Sequence, residues 1–357
     1  MNEIIMARPD IIIAGSPRSG TYWMVDLLET RFGIAFPSET HFISIFEDYL
    51  WLYGDLNKRK NRKRLLRDIF QFVSIWTYNS QDSDEYRAGI RPSSFMAIYD
   101  EGLSDSVLDA STDYPSLISA LFSEFAKLKG ADAVGDKSAH YRVKPTLDTL
   151  DGLQDVKIVH VVRDGRDVAK SWIAQWFGPK TYAKAGHLWS EHVSGFAKWG
   201  ASNPARYLEL KYEDMATDLD ACLTTLSGFL GRPVLESKGP SATAAALSHT
   251  DSHAKIQSMK ASDNIEKWRN LPNKDREDFE ATAMPWLRDF GYPVDDPNIR
   301  SPKVPHKFID ISKHQFTVWV KHQLPIIIRL SALIHFPIRK IFIRDKTSIW
   351  QAPIKLD

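Results

Sequence analysis

The order of apolar and polar positions divides the chain into short buried runs, each followed by a turn and a helical period. Ile11–Ala14 is apolar and β-branched at three of its four positions, the pattern of a strand buried on both faces. From Thr21 to about Arg31 the apolar residues recur at helical spacing, with Trp23, Leu27 and Leu28 on one face. Residues 131–137 read as a short strand ending in a polar loop, and 156–162 (VKIVHVV) as a second clear buried strand leading into a turn and helix. Residues 205–214 alternate like a strand, and 219–231 read as a helix closed by Gly231. Between them, Phe42 to about Lys129 is irregularly helical and rich in aromatics. Strands alternating with helices predict an α/β fold: a central, mainly parallel sheet with helices on both faces. A proline-rich break at 292–307 divides a main domain, 1–295, from a C-terminal extension, 296–357.

Charge sharpens that division. The 357 residues carry a formal net charge of +1. Residues 301–357 contain ten Lys/Arg and three Asp/Glu, leaving 36 basic and 42 acidic residues in the rest. The extension is therefore basic and the body mildly acidic, which argues against nucleic acid as a partner. Cys222 is the single cysteine, so no internal disulfide can form. The first ten residues are too short and too charged for a secretory signal, and no run reaches the roughly 18 apolar residues of a spanning helix. The expectation is a cytoplasmic chain. Residues 316–346 mix Ile, Leu and Phe with Lys and Arg and are broken by Pro325 and Pro337. They suit peripheral contact with a membrane surface, or packing on the acidic body or a partner subunit.

The first strand runs into GSPRSGT, residues 15–21. Glycines at 15 and 20 let the backbone approach a ligand closely, and the helix opening at Thr21 offers N–H groups and a positive dipole end to an anion. A nucleotide triphosphate loop would carry lysine and then a magnesium-binding hydroxyl after its last glycine. Here Thr21 and Tyr22 occupy those places, and the cation lies inside the loop at Arg18. The ligand expected is phosphate-like, with no metal required. A second motif, VVRDGRDVAKSW (161–172), delivers Arg163 to the carboxyl edge of the sheet, with Ser171 eight residues on in the following helix. Arginine and hydroxyl suit a second phosphate. Asp167 suits orienting an arginine or capping the helix, and the alternative for 163–167 is a solvated ion-pair turn.

These motifs resemble those of the sulfotransferases, in order and spacing, over roughly residues 8–295. SPRSGT is similar to the family's 5′-phosphosulfate loop and the Arg163/Ser171 pair to its 3′-phosphate motif. KYEDM (211–215), NIEKWRNLP (264–272) and WLRDFGY (286–292) resemble its later segments. The resemblance implies a P-loop-like sulfotransferase fold, with 3′-phosphoadenosine 5′-phosphosulfate (PAPS) as donor and the 3′,5′-bisphosphate PAP as product. It assigns the nucleotide to Pro17, Arg18, Ser19, Gly20, Thr21, Tyr22, Arg163, Ser171, Tyr212 and Trp268, with Lys260 or Lys267 adding a cation.

FPSETHFI (36–43) resembles the segment after the first helix in the tyrosylprotein branch, and GDKSAHY (135–141) a lysine loop of the non-cytosolic branches, although Ser-Ala stands where many relatives have Thr-Pro. The implied branch is the tyrosylprotein, heparan-like and bacterial one with a glutamate base. Glu39 is then the candidate base with His41 as its rival, while Lys137 and Arg18 would meet the bridging oxygen. If 39–41 is extended, both side chains face one side. The acceptor is a small molecule, lipid, sugar or peptidyl group. The aromatics of the 42–80 region, and Trp172, Trp176, Phe177, Tyr182 and Trp189, would be core or acceptor wall, and the basic run 57–64 a solvated face or an attraction for an acidic acceptor. A kinase of similar fold and a PAP(S)-binding protein without catalysis are the other readings.

Overall fold

The computed structural model describes residues 9–47, 49–78, 94–138, 152–153, 155–175, 178–236, 239 and 261–294. Lys260 and the extension 296–357 lie outside them.

Four parallel strands form one sheet: β1 Ile11–Ala14, β2 Gly135–Lys137, β3 Lys157–Val162 and β4 Tyr207–Lys211, in the spatial order β2-β1-β3-β4. The register pairs Ile12 with Asp136 on one side of β1 and with Ile158 on the other. The chain thus leaves β1 toward one edge of the sheet and returns to its other side for β3. That makes the carboxyl end of β1 and β3 a topological switch point, where open α/β sheets hold ligands.

The helices are α1 Thr21–Phe32, α2 Phe42–Glu47, α3 Arg59–Tyr78, α4 Met96–Asp100, α5 Ser104–Asp109, α6 Tyr114–Lys129, α7 Gly165–Ile173, α8 Tyr182–Ser202, α9 Tyr212–Thr217, α10 Leu219–Leu230 and α11 Asn273–Asp289. Alternate residues of β1 supply two cores, as the two-residue period of a strand demands. Ile12 and Ala14 join Leu65, Leu66, Phe70 and Phe122 of α3 and α6 on one face. Ile11 and Ile13 join Met24 and Leu28 of α1 and Leu223 and Leu226 of α10 on the other. Helices therefore cover both faces, as the alternation of elements predicts. A third apolar group packs α7, α8 and α11 around Trp189, Phe279 and Leu287. Among the described residues no helix is long and apolar enough to cross a membrane.

Three local expectations are corrected. The strand read at 131–137 is only Gly135–Lys137. The strand read at 205–214 ends at Lys211, and Tyr212–Thr217 is helical. Glu213 and Asp214 fall in that helix's first turn, where its dipole favours acidic side chains. The basic run 57–64 is not a uniformly solvated face. Arg62 is 6% exposed and donates to the carbonyls of Leu56, Asn57 and Leu108, while Arg59 pairs with Asp105 and Asp109. The aromatics Phe42, Phe46, Tyr53, Trp172 and Trp189 are all buried, whereas Trp51 is 74% exposed.

Candidate active site

The loop after β1 is shaped by what its glycines exclude. Gly15 has φ +154, and a Cβ there would lie 2.7 Å from both Ser19 Oγ and the Val161 carbonyl oxygen. Gly20, at φ +95, lies under the Tyr212 ring, which a Cβ would meet at 2.5 Å. Only glycine fits either position. Between them Ser19 folds inward, its hydroxyl donating to the Ser16 carbonyl at 2.7 Å and its N–H to the same oxygen at 3.2 Å. The donors of Ser19 thus close the turn. Gly20 is the N-cap of α1, and no side chain caps this end. Pro17 and Thr21 are buried within the turn.

Arg18 adopts φ +73, a conformation that costs a non-glycine residue roughly 1–2 kcal/mol. Its Nε donates to Ser171 Oγ at 3.0 Å. Arg163, delivered by β3, donates through Nη1 to the Arg18 carbonyl at 3.3 Å and through Nη2 to the Asn264 carbonyl at 2.6 Å. The two phosphate motifs therefore meet, though they are far apart in the chain. Burial, followed by the nearby charge of Arg163, disfavours the protonated form of Arg18. The two cations act on each other, and a bound anion would favour both. Arg163 Nε is buried with no hydrogen-bond partner, a donor still unspent. Its guanidinium also lies over the Tyr212 ring, 4.4 Å from the centroid.

The run at 163–167 is not a solvated ion-pair turn. Arg166 is 0% exposed, paired with Asp164 at 2.7 Å and with Glu280 of α11 at 2.6 Å. Asp164 caps α7 by accepting from the Arg166 N–H, so Asp167 is not the cap. Asp167 accepts instead from the Trp268 N–H at 2.7 Å and lies 4.0 Å from Arg163, which it helps to orient. Burial pushes its carboxyl up to about 6, against the pull of Arg163 and with the repulsion of Asp164.

Glu39, His41 and Lys137 converge beside this loop. Lys137, at the end of β2, reaches Glu39 Oε1 and lies over the Tyr22 ring at 3.6 Å from its centroid. His41 Nε2 is 2.9 Å from Glu39 Oε2. Segment 39–41 is not simply extended, because His41 has φ +53; its ring nevertheless returns to Glu39. Burial alone would favour the neutral carboxyl, but the Lys137 charge and the hydrogen bonds from His41 and Lys137 prevail and hold it well below the usual carboxylate range. Burial in turn pulls the Lys137 ammonium below the ordinary lysine range, opposed chiefly by Glu39.

Three further residues expected to hold the nucleotide are engaged within the protein. Tyr212 is buried against Gly20 and meets Trp23 edge-on at 5.6 Å. Trp268 is 1% exposed, its ring covered by Arg166 at 3.5 Å, so in this conformation it supports Arg166 rather than offering a stacking face. Lys267 Nζ donates to Asn264 Oδ1 at 2.7 Å. Sequence reasoning missed Asp136, Thr40 and Ser138, whose polar groups interlock beneath Glu39 and Lys137. It also missed Asn264, whose carbonyl engages Arg163.

A family model for the sulfotransferase domain matches residues 8–283. No curated protein sequence matches the chain. Among solved structures, the sulfotransferase domain from the Synechococcus PCC 7002 olefin synthase is 21% identical, with 81% of this chain and 96% of that one covered and a TM-score of 0.51. The sulfotransferase domain from the curacin biosynthetic pathway is 18% identical, with 80% and 98% covered and a TM-score of 0.52. At such identities the likeness establishes a common fold. With the family model spanning both phosphate motifs, Glu39 and Lys137, the chain belongs to the sulfotransferase family.

Proposed function

We propose that the chain moves the sulfuryl group of PAPS to a hydroxyl or amine acceptor, with Glu39 taking the acceptor's proton. One observation carries this reading: the Glu39 carboxylate is held between Lys137 and His41 beside a cationic, glycine-shaped loop. The residues fit PAPS on three counts. Gly15 and Gly20 shape a tight turn at the uncapped start of α1, the end that favours an anion. Arg18 and Arg163 bring two cations together, with Asp167, 4.0 Å from Arg163, offsetting only part of that charge. Arg163 keeps a buried donor in hand. When bound, PAPS supplies a sulfuryl group on a phosphate leaving group. That group bears less charge than a triphosphate, so N–H groups and one arginine can hold it where Thr21 and Tyr22 replace the lysine and hydroxyl of a magnesium loop.

In this reading Arg163 and Ser171 hold the 3′-phosphate, with Arg18 spanning the two phosphate positions. Glu39 is ionised at neutral pH and can accept a proton. Its pairing with Lys137 weakens it as a base. Negative charge growing on the oxygen between phosphorus and sulfur would draw Lys137 toward it and free Glu39 as the proton leaves the acceptor. His41, on the far carboxylate oxygen, orients Glu39 and is the weaker candidate for base. Phe42, Phe46 and Tyr53 are committed to the core, so an apolar acceptor would have to use other walls. Small-molecule, lipid, sugar and peptidyl acceptors are all compatible with this site.

The test is a panel of phenols, sugars, lipid alcohols and tyrosyl peptides incubated with 35S-labelled PAPS. Transfer to one class is expected. Glu39→Gln should lower its rate by about 10²–10⁴ while PAP affinity holds. Full activity in Glu39→Gln with loss in His41→Asn would transfer the base role to His41; no transfer to any class would overturn the reading.

A further inference from the structure

Asp136 is the central residue of β2 and is completely buried. Strand alternation turns its side chain away from that of Lys137, so it cannot reach the reacting groups itself. It grips the opposite segment instead. Its Oδ2 accepts from the Thr40 hydroxyl at 3.0 Å and from the Ser138 hydroxyl at 3.3 Å. The Ser138 hydroxyl oxygen in turn accepts the His41 N–H at 3.0 Å. Thr40 and Ser138 are themselves buried, at 0% and 4% exposure. One carboxylate therefore holds residue 40 directly and residue 41 through one hydroxyl.

The chain closes a ring around this contact. Lys137 follows Asp136 and pairs with Glu39; Glu39 precedes Thr40, which returns to Asp136. Two segments almost a hundred residues apart are fixed to each other immediately behind the pair that does the chemistry. The ring also accounts for His41 at φ +53. A residue with a side chain keeps that conformation only when its surroundings over-determine it, and the Ser138 bond to its N–H supplies part of that hold.

We propose that Asp136, through Thr40 and Ser138, is a positioning residue that sets Glu39 against Lys137 for sulfuryl transfer. This rests on the reading of Glu39 and Lys137 given above. Thr40→Val and Ser138→Ala remove the two hydroxyls with little change of volume and leave the buried carboxylate in place. Asp136→Asn keeps an acceptor oxygen and serves as the conservative variant.

The experiment uses the full chain and needs no identified acceptor. Release of labelled sulfate from 35S-PAPS measures transfer to water, and calorimetry with PAP measures nucleotide binding. Thr40→Val and Ser138→Ala should each slow sulfate release at least tenfold with PAP affinity within about twofold of wild type. Asp136→Asn should retain more activity than Asp136→Ala. In a Glu39→Gln background Thr40→Val should cost nothing further, because its effect runs through Glu39. Wild-type rates in both hydroxyl variants would overturn the proposal, as would a Thr40→Val loss of the same size in the Glu39→Gln background. Failure of the wild-type protein to bind PAP or to release sulfate would instead sink the sulfotransfer reading beneath it.

Discussion

Two carboxylates illustrate how far environment decides chemistry here. Asp167 and Glu39 are both enclosed, yet their acidities diverge. Glu39 has a close cation and a histidine and is held well down, whereas Asp167 has Arg163 only at 4.0 Å and rises to about 6. The sign of the second shift matters for stability. A carboxyl whose folded value lies above its unfolded value of about 3.9 keeps a proton that the unfolded chain has already released. It destabilises the fold as pH climbs through that interval, and the whole loss is present above about 6. Asp167→Asn removes this dependence. Relative to wild type, the variant should gain stability between about pH 4 and about pH 7, as read from urea unfolding at several pH values. A difference that stays flat across that range would mean Asp167 is not perturbed. Much of the site is legible at this scale. Arg18 and Arg163 each sit in a short motif with a physical reason for the residue type, while Glu39 and Lys137 were reached through the family resemblance. Asp136 and Thr40 do not, because their importance comes from a contact spanning 96 residues, and no local pattern encodes it.

Among the elements, α7 shows most clearly how a charged sequence becomes a buried scaffold. Its first turn carries Arg166, which bonds Asp164 and Glu280 and stacks on Trp268. This joins α7 to α11 and to the turn at Lys267–Asn270, which is also tied down by Lys170 on the Lys267 carbonyl at 3.0 Å. Removing the guanidinium leaves two carboxylates without their cation, Glu280 at 1% exposure and Asp164 at 4%. Arg166→Leu should therefore cost about 3–5 kcal/mol in chemical denaturation. A loss below about 1 kcal/mol, the range of an exposed pair, would contradict this reading of α7. The sequence permitted a solvated turn at this point because Arg and Asp at close spacing look the same on a surface or in a core. Burial was decided by α11, more than 100 residues downstream. The strand at 207–211 was legible from alternation, but its end was not, since Tyr212–Thr217 continues with the acidic first turn of a helix.

For the whole molecule, the sheet order explains why two distant motifs make one site. Crossing from β2 to β3 around β1 opens the switch point, and the loops after β1 and β3 both face it. Alternating strands and helices made the fold class readable, and the apolar runs made β1 and β3 readable at nearly their observed limits, whereas β2 and β4 are shorter than the runs that pointed to them. Strand order, which creates the crevice, depends on packing between layers and is not written in any one run. The central claim is that Arg18, Arg163 and Ser171 form two linked anion positions for a nucleotide phosphorylated at 3′ and 5′. Calorimetry of PAP against AMP, and against ATP with and without magnesium, tests it most directly. Each charge-assisted bond to the second phosphate contributes about 1.5–3 kcal/mol. PAP should therefore bind on the order of 10²-fold or more tightly than AMP, with no dependence on magnesium. Equal binding of PAP and AMP, or a preference for magnesium with ATP, would mean that the pocket reads something other than the 3′-phosphate.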